Sequence, residues 1–159
     1  MNPRIQVMVE SRQLEEVPAP DAEVAGMWAK AVRSFRSSSL PELDRDAAFT
    51  LAYQAALQLG TALIRAAGYR TRGEAHHHHT FAAVAALALG ELSDAARDLN
   101  VIRQRRHSAI YDWEVATSEQ DLAAIRTSTL RLFAAGRAWL SSARPALTPG
   151  LSDSPPSSG

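Results

Sequence analysis

Apolar residues recur at three- and four-residue steps from Val24 to Trp139. This is the period of helices buried along one stripe, and no stretch alternates with the two-residue period of a strand. The first predicted helix spans about 21–37, with Val24, Met27, Trp28, Ala31 and Phe35 on its stripe. The second opens at Ser39-Leu40-Pro41-Glu42, a capping-box spacing with a proline in the first turn. It carries Leu43, Ala47, Leu51, Ala55, Leu59, Ala62 and Ala66 and ends at Gly68, the expected C′ residue. The third runs from about 75 to 89 and stops at Gly90; the fourth covers about 92–113. The fifth follows Thr117-Ser118-Glu119-Gln120, another capping-box spacing, and reaches about 142 with Leu122, Ile125, Thr129, Leu132, Gly136 and Trp139 in heptad step. Short connections between consecutive helices predict antiparallel neighbours. The expected fold is all-α, an up-and-down antiparallel bundle of four to five helices over residues 21–144. Residues 1–20, closing on Val17-Pro18-Ala19-Pro20, read as a flexible N-terminal arm, and residues 145–159, rich in proline and serine, as a disordered tail.

At 159 residues and 46% hydrophobic, the chain is sized for one domain with one core. Its formal net charge is zero, so no global field advertises a nucleic acid or a membrane. Cysteine is absent, which excludes disulfides and thiolate metal sites. Residues 1–20 hold Arg4, Glu10, Arg12, Glu15 and Glu16 and no apolar core of a signal peptide, and no uncharged apolar run approaches the length of a bilayer span. A cytoplasmic location without a membrane partner is expected. The cations are arginines except for Lys30, and residues 65–107 hold seven arginines against four acids. A GC-rich coding bias explains the total; the local excess also suits phosphate recognition by guanidinium forks.

The fourth helix carries the candidate chemistry. Leu92, Ala95, Leu99, Ile102, Arg106, Ala109 and Trp113 make a seam that is apolar except at Arg106. A guanidinium on such a stripe must meet a carboxylate, a phosphate or water. At about 100° per residue, Asn100, Arg103, Arg106, His107 and Tyr111 share one arc beside the seam. That face offers guanidiniums for phosphate, an imidazole that titrates near neutrality, an amide, and a phenol that can stack on a base. These are the parts that metal-free RNA cleavage needs, and they are equally the parts of a solvated, arginine-rich helix face.

The run Leu99-Asn100-Val101-Ile102-Arg103-Gln104-Arg105-Arg106-His107-Ser108-Ala109-Ile110-Tyr111-Asp112 resembles the late-helix signature of the HEPN superfamily, in which an Arg, often followed by Asn, Asp or His, precedes a His by four to six residues. Arg106-His107 matches the first half, and Tyr111 stands where the family has its His. Tyr53-Gln54-Ala55-Ala56, then Ala62 through Arg70, resemble the family's preceding helix and its terminal glycine, and Gly73 through Thr80 resemble the start of the next. The resemblance covers about residues 21–142 and is nearest to stand-alone members with an Arg–Asn/His…Tyr signature. It implies a nucleic-acid-associated helical domain, often a homodimer whose motif helices line a shared groove, of the kind found as ribonuclease-like toxins of toxin–antitoxin and defence systems. It implies a metal-independent endoribonuclease where the member is active, RNA as ligand, no cofactor, and a nucleotidyltransferase-type protein as partner. On this resemblance Arg106, His107 and Tyr111 are the catalytic candidates, with His107 standing in for the family's His. Asn100, Arg103, Arg70, Arg72, His76 and His79 are the nucleic-acid-binding candidates. Arg105 falls on the opposite side of the helical wheel and is expected to point elsewhere. The other reading open at this level is a non-catalytic interaction protein that dimerises or pairs with such a partner.

The run His76–His79 raises the question of metal. On a helix, His76 and His79 share a face, yet Glu74 is the one nearby carboxylate and no second cluster completes a ligand set. No metal is expected. Phosphate binding at a helix N-terminus and plain structural packing both fit the run better.

Overall fold

The computed structural model describes residues 2–72, 76–110 and 116–155, the side chains of 76–78 and 107–110 excepted. Among them run α1 (Pro3–Glu10), α2 (Asp21–Ser37), α3 (Arg45–Ala66), α4 (His76–Leu87), α5 (Glu91–Ile110) and α6 (Glu119–Ala143). Two three-residue strands, β1 (Leu14–Glu16) and β2 (Tyr69–Thr71), pair antiparallel with Leu14 opposite Thr71 and Glu16 opposite Tyr69. The fold is the expected helical bundle.

The bundle is organised around α3, whose Ala52, Ala55, Ala56, Leu59, Ala62 and Leu63 are fully buried. A helix that is apolar on most sides must be covered on most sides. Here α2, α4 and α6 supply the cover, and the many alanines let them approach closely. By length and composition alone α3 could cross a membrane; in this fold its apolar faces belong to the core. Opposite α3, Phe133 of α6 receives Trp28 and Phe35 of α2 edge-on, at ring separations of 5.4 and 6.1 Å.

Helix directions follow from which residues meet. α2 runs against α3, because Glu23 reaches Arg65 and Ser34 reaches Gln58. α6 runs with α3, from Thr117 beside Asp46 to Arg144 at the Ala66 carbonyl. α4 also advances with α3: Thr80 and Val84 lie against Gly60, and Leu87 comes up beside Ala66 and Ala67. The strict alternation expected from short connections is therefore interrupted once. After α3 the chain turns at Gly68, whose φ of +91° favours glycine, and β2 carries it back before α4 begins.

That return strand explains the main departure from expectation. The expected flexible arm over residues 1–20 is a helix and a strand. β1 is the partner that β2 requires, and Val17 N–H donates to the Gly68 carbonyl at 2.8 Å while Arg72 N–H donates to that of Gln13 at 3.0 Å. Ile5, Met8 and Leu14 are buried at 2, 8 and 1% exposure. Asn2 caps α1 by accepting from Arg4 N–H, and its amide donates to the Ala86 carbonyl at 2.5 Å. With Arg4 donating to Ala85, these side chains satisfy carbonyls that the end of α4 leaves without helical partners.

The expected disordered tail is likewise held as far as Pro155, residues 156–159 lying outside the described chain. Leu147 and Leu151 are buried, and Ser152 offers its carbonyl to the Trp28 indole at 2.9 Å and to Arg137 at 2.5 Å. Helix starts also shift. α3 begins at Arg45, capped by Asp44, whose carboxylate accepts from Ala47 N–H; Ser38 and Ser39 instead accept from Arg126. α6 is capped one residue later than the spacing suggests, by Ser118 with Asp121 completing the box, because Thr117 is bound elsewhere. The predicted extension of the fourth helix to 113 lies beyond the described end of α5 at Ile110.

Two helix glycines should respond oppositely to alanine. A Cβ on Gly60 would lie 2.8 Å from Thr80 Cγ2, a buried β-branched atom that cannot swing away, whereas nothing lies within 4 Å of one on Gly26. Gly26→Ala should raise stability by about 0.5–1 kcal/mol through helix propensity. Gly60→Ala gains the same propensity but overpacks, at a cost of about 1–3 kcal/mol, and should be net destabilising. Urea melts of both variants test the contrast; a more stable Gly60→Ala protein would show that the α3–α4 contact is looser than described.

Candidate nucleic-acid interface

Arg106 lies where the N-terminal end of α3, the C-terminal half of α5 and the start of α6 converge. Its guanidinium sits 4.6 Å from the centre of the Phe49 ring and donates to the Thr117 hydroxyl at 3.0 Å. The Thr117 hydroxyl in turn donates to Asp46, and Thr117 N–H donates to the same carboxylate oxygen at 3.0 Å. The lone cation on the apolar seam is thus answered by an aromatic face and by a carboxylate acting through a threonine. Arg106, Thr117 and Asp46 form a clasp that ties three helices together. Thr117's hydroxyl and amide hold the Asp46 carboxyl below the usual carboxylate range, with the charges of Arg106 and Arg45 adding to them. A depressed carboxylate stabilises the fold above its unfolded pKa of about 4 and loses that contribution as pH falls further. The clasp therefore stays intact through the neutral range.

Aromatic residues of α3 extend the arrangement. Phe49 stacks on Tyr53 with ring planes 9° apart, and Tyr53 meets Phe81 of α4 edge-on. Burial pushes the Tyr53 phenol up, and the charge of Arg103 partly opposes this, so Tyr53 is a neutral hydroxyl at physiological pH beside a guanidinium. Arg103 itself donates to Asn100 at 2.9 Å, which fixes its direction. Along the α3–α5 groove the order is Arg106, Phe49, Tyr53, Arg103, two stacked rings with a cation at each end. Phe49 and Tyr53 are one helical turn apart, and that i, i+4 aromatic pair is the signal by which the sequence could have nominated them.

Beside the clasp is a cavity of about 200 Å³ lined by Phe49, Ile102, Arg105, Arg106, Ala116, Thr117, Asp121 and Ala124. Arg105, expected to point elsewhere, is on this wall. α6 returns alongside α5, so positions separated on an isolated helical wheel face one space. Arg105 is exposed and makes no hydrogen bond or ion pair among the described residues, whereas Arg106 is committed to the clasp.

No protein-family profile, curated protein or solved structure matches the chain.

Of the remaining candidates, Arg70 and Arg72 do not join the groove. Arg70 lies on β2 and Arg72 just past its end, and both face Glu15 of β1, at 2.8 and 3.7 Å. His79 is half-buried near the start of α4. Because α4 and α5 are antiparallel across the Gly90 turn, that first turn stands level with Asn100 and Arg103 by equal helical rise. The side chains of His76 and His107, and all of Tyr111, lie outside the described residues. Among the described residues no group of three His, Asp or Glu side chains is placed to hold a metal ion.

Proposed function

We propose that this protein is a HEPN-like module that binds single-stranded RNA along the α3–α5 groove. The observation that carries the reading is the stacked pair Phe49 and Tyr53 flanked by Arg106 and Arg103, with Arg105 beside it making no hydrogen bond or ion pair among the described residues. Single strands are bound by cations that follow the backbone and by flat groups on which bases stack. Arg103 and Arg105 are the phosphate contacts in this reading. Arg106 holds the groove together and presents its guanidinium to the cavity. Any cleavage falls to His107 and Tyr111, which follow Arg106 in the sequence, since Asp46 is bound by Thr117 and Tyr53 stays protonated.

Fluorescence anisotropy with a labelled 12-nucleotide RNA in chelator-containing buffer tests the proposal. Arg103→Ala and Arg105→Ala should each weaken binding roughly tenfold, the loss of one charge-assisted hydrogen bond to phosphate at about 1.5 kcal/mol. The slope of log affinity against log salt should also become shallower by about 0.7 for each arginine removed. Arg70→Ala should leave both unchanged. Equal losses for all three variants would reduce the site to diffuse attraction and overturn the reading. Gel analysis of the same RNA with wild-type protein and His107→Ala shows whether binding leads to cleavage.

A further inference from the structure

We propose that the cavity between Phe49, Ile102, Thr117 and Ala124 receives a single unstacked base of the bound strand. This rests on the RNA-binding reading above and adds to it a specific seat for a base. The cavity opens beside the groove, and its volume of about 200 Å³ accommodates a flat heterocycle and no longer stretch of chain. Phe49, Ile102, Ala116 and Ala124 supply its apolar lining. Arg106 contributes a guanidinium already held against Phe49 and fixed by Thr117, so the surface it offers is ordered before a ligand arrives. Guanidinium planes and aromatic rings are the surfaces on which splayed-out RNA bases stack.

The polar groups of the cavity divide into committed and available ones. Thr117's hydroxyl is committed twice, accepting from Arg106 and donating to Asp46. Asp121 uses Oδ2 to accept from Ser118 N–H at 3.0 Å in the α6 capping box, while no hydrogen bond among the described residues occupies its Oδ1. Arg105, also in the lining, makes no hydrogen bond or ion pair among the described residues. A nucleotide answers both. Each of the four RNA bases carries an N–H on its pairing edge, which Asp121 Oδ1 can accept. The phosphate of that nucleotide remains outside the cavity, within the span of Arg105. A free aliphatic ligand would fill the walls and leave Asp121 and Arg105 unanswered; a free phosphate would do the reverse.

The test compares a 12-nucleotide oligoadenylate with an abasic ribose-phosphate strand of equal length and charge, bound to wild type, Ala124→Phe and Ala123→Phe. Ala123 and Ala124 are exposed on α6 and take no part in the clasp, so both variants should fold, which thermal melts verify. Wild type should prefer the base-bearing strand by about tenfold, the scale of one stacked base. Ala124→Phe fills the cavity and should abolish that preference while leaving affinity for the abasic strand unchanged. Ala123→Phe, beside the cavity but outside its lining, should behave as wild type. Equal binding of both strands by wild type, or an undiminished preference in Ala124→Phe, overturns the base seat and leaves the RNA-binding reading in place. Failure of wild type to bind either strand overturns both.

Discussion

A chain lacking residues 1–16 is expected to lose its cooperative fold. Sequence pattern alone suggests a dispensable arm, so the experiment separates pattern from packing. Ile5, Met8 and Leu14 are buried in the same core as α2 to α6. Each such side chain contributes about 1.5–3 kcal/mol by leaving water. Their removal also uncovers the Ala85 and Ala86 carbonyls that Arg4 and Asn2 satisfy, and strips β2 of its partner β1. The total exceeds about 5 kcal/mol, which is the lower end of what a whole domain has to spare. Thermal melts followed by near-ultraviolet circular dichroism should show a broad transition or none. A sharp transition within a few degrees of the full chain would mean that these contacts contribute little.

Arg65→Ala should be the most damaging single substitution of a charged residue. Arg65 is 9% exposed and its guanidinium donates to the carbonyls of Val17, Pro18 and Tyr69 at 2.6, 3.3 and 3.2 Å as well as to Glu23 at 3.0 Å. It binds together the end of α3, the start of α2 and one end of the β ribbon, where β1 stops and β2 begins. Alanine leaves several acceptors unsatisfied and a void where the side chain lay, at a cost of about 3–5 kcal/mol. For a chain of this size that lowers the melting temperature by roughly 10–15 °C. Arg65→Lys should recover little, since an ammonium cannot reproduce the fork that reaches separate carbonyls. Arg70→Ala, which removes an exposed pair with Glu15, should cost under about 1 kcal/mol. Similar losses for Arg65→Ala and Arg70→Ala would refute the assigned role.

The helices were legible where one face is buried and the other is wet. α2 is such a helix, and its bounds and stripe agree with the period of Val24, Trp28, Ala31 and Phe35. α3 is buried almost all round, so its phase was not encoded: the chosen stripe included Ala47 and Leu51, which are half-buried, and passed over Phe49, which is 4% exposed. β1 and β2 escaped because three residues are too few to establish a period, and because their pairing joins segments some 55 positions apart, as in Glu15 with Arg70. At the candidate site, the anomaly of Arg106 on its apolar seam was visible in one dimension. Its answer was not, since Asp46 and Thr117 lie 60 and 11 positions away and meet only after α6 folds back on α3. The exclusion of Arg105 failed for a related reason. A helical wheel describes one cylinder, and the cavity has walls from several.

The pairing of β1 with a strand far along the chain has a consequence for synthesis. The amino-terminal segment leaves the ribosome first, yet its partners are β2 and the end of α4, and α3 emerges before any of the helices from α4 to α6 that cover it. At about 5–20 residues per second, the 77 positions between Ala66 and Ala143 take roughly 4–15 s to make. Until α4 emerges early in that interval and α6 at its end, the 22-residue apolar helix lacks part of its cover. The nascent chain is therefore a natural client for chaperones that hold exposed hydrophobic segments, and the order of translation rather than the final stability decides how much of it survives to fold.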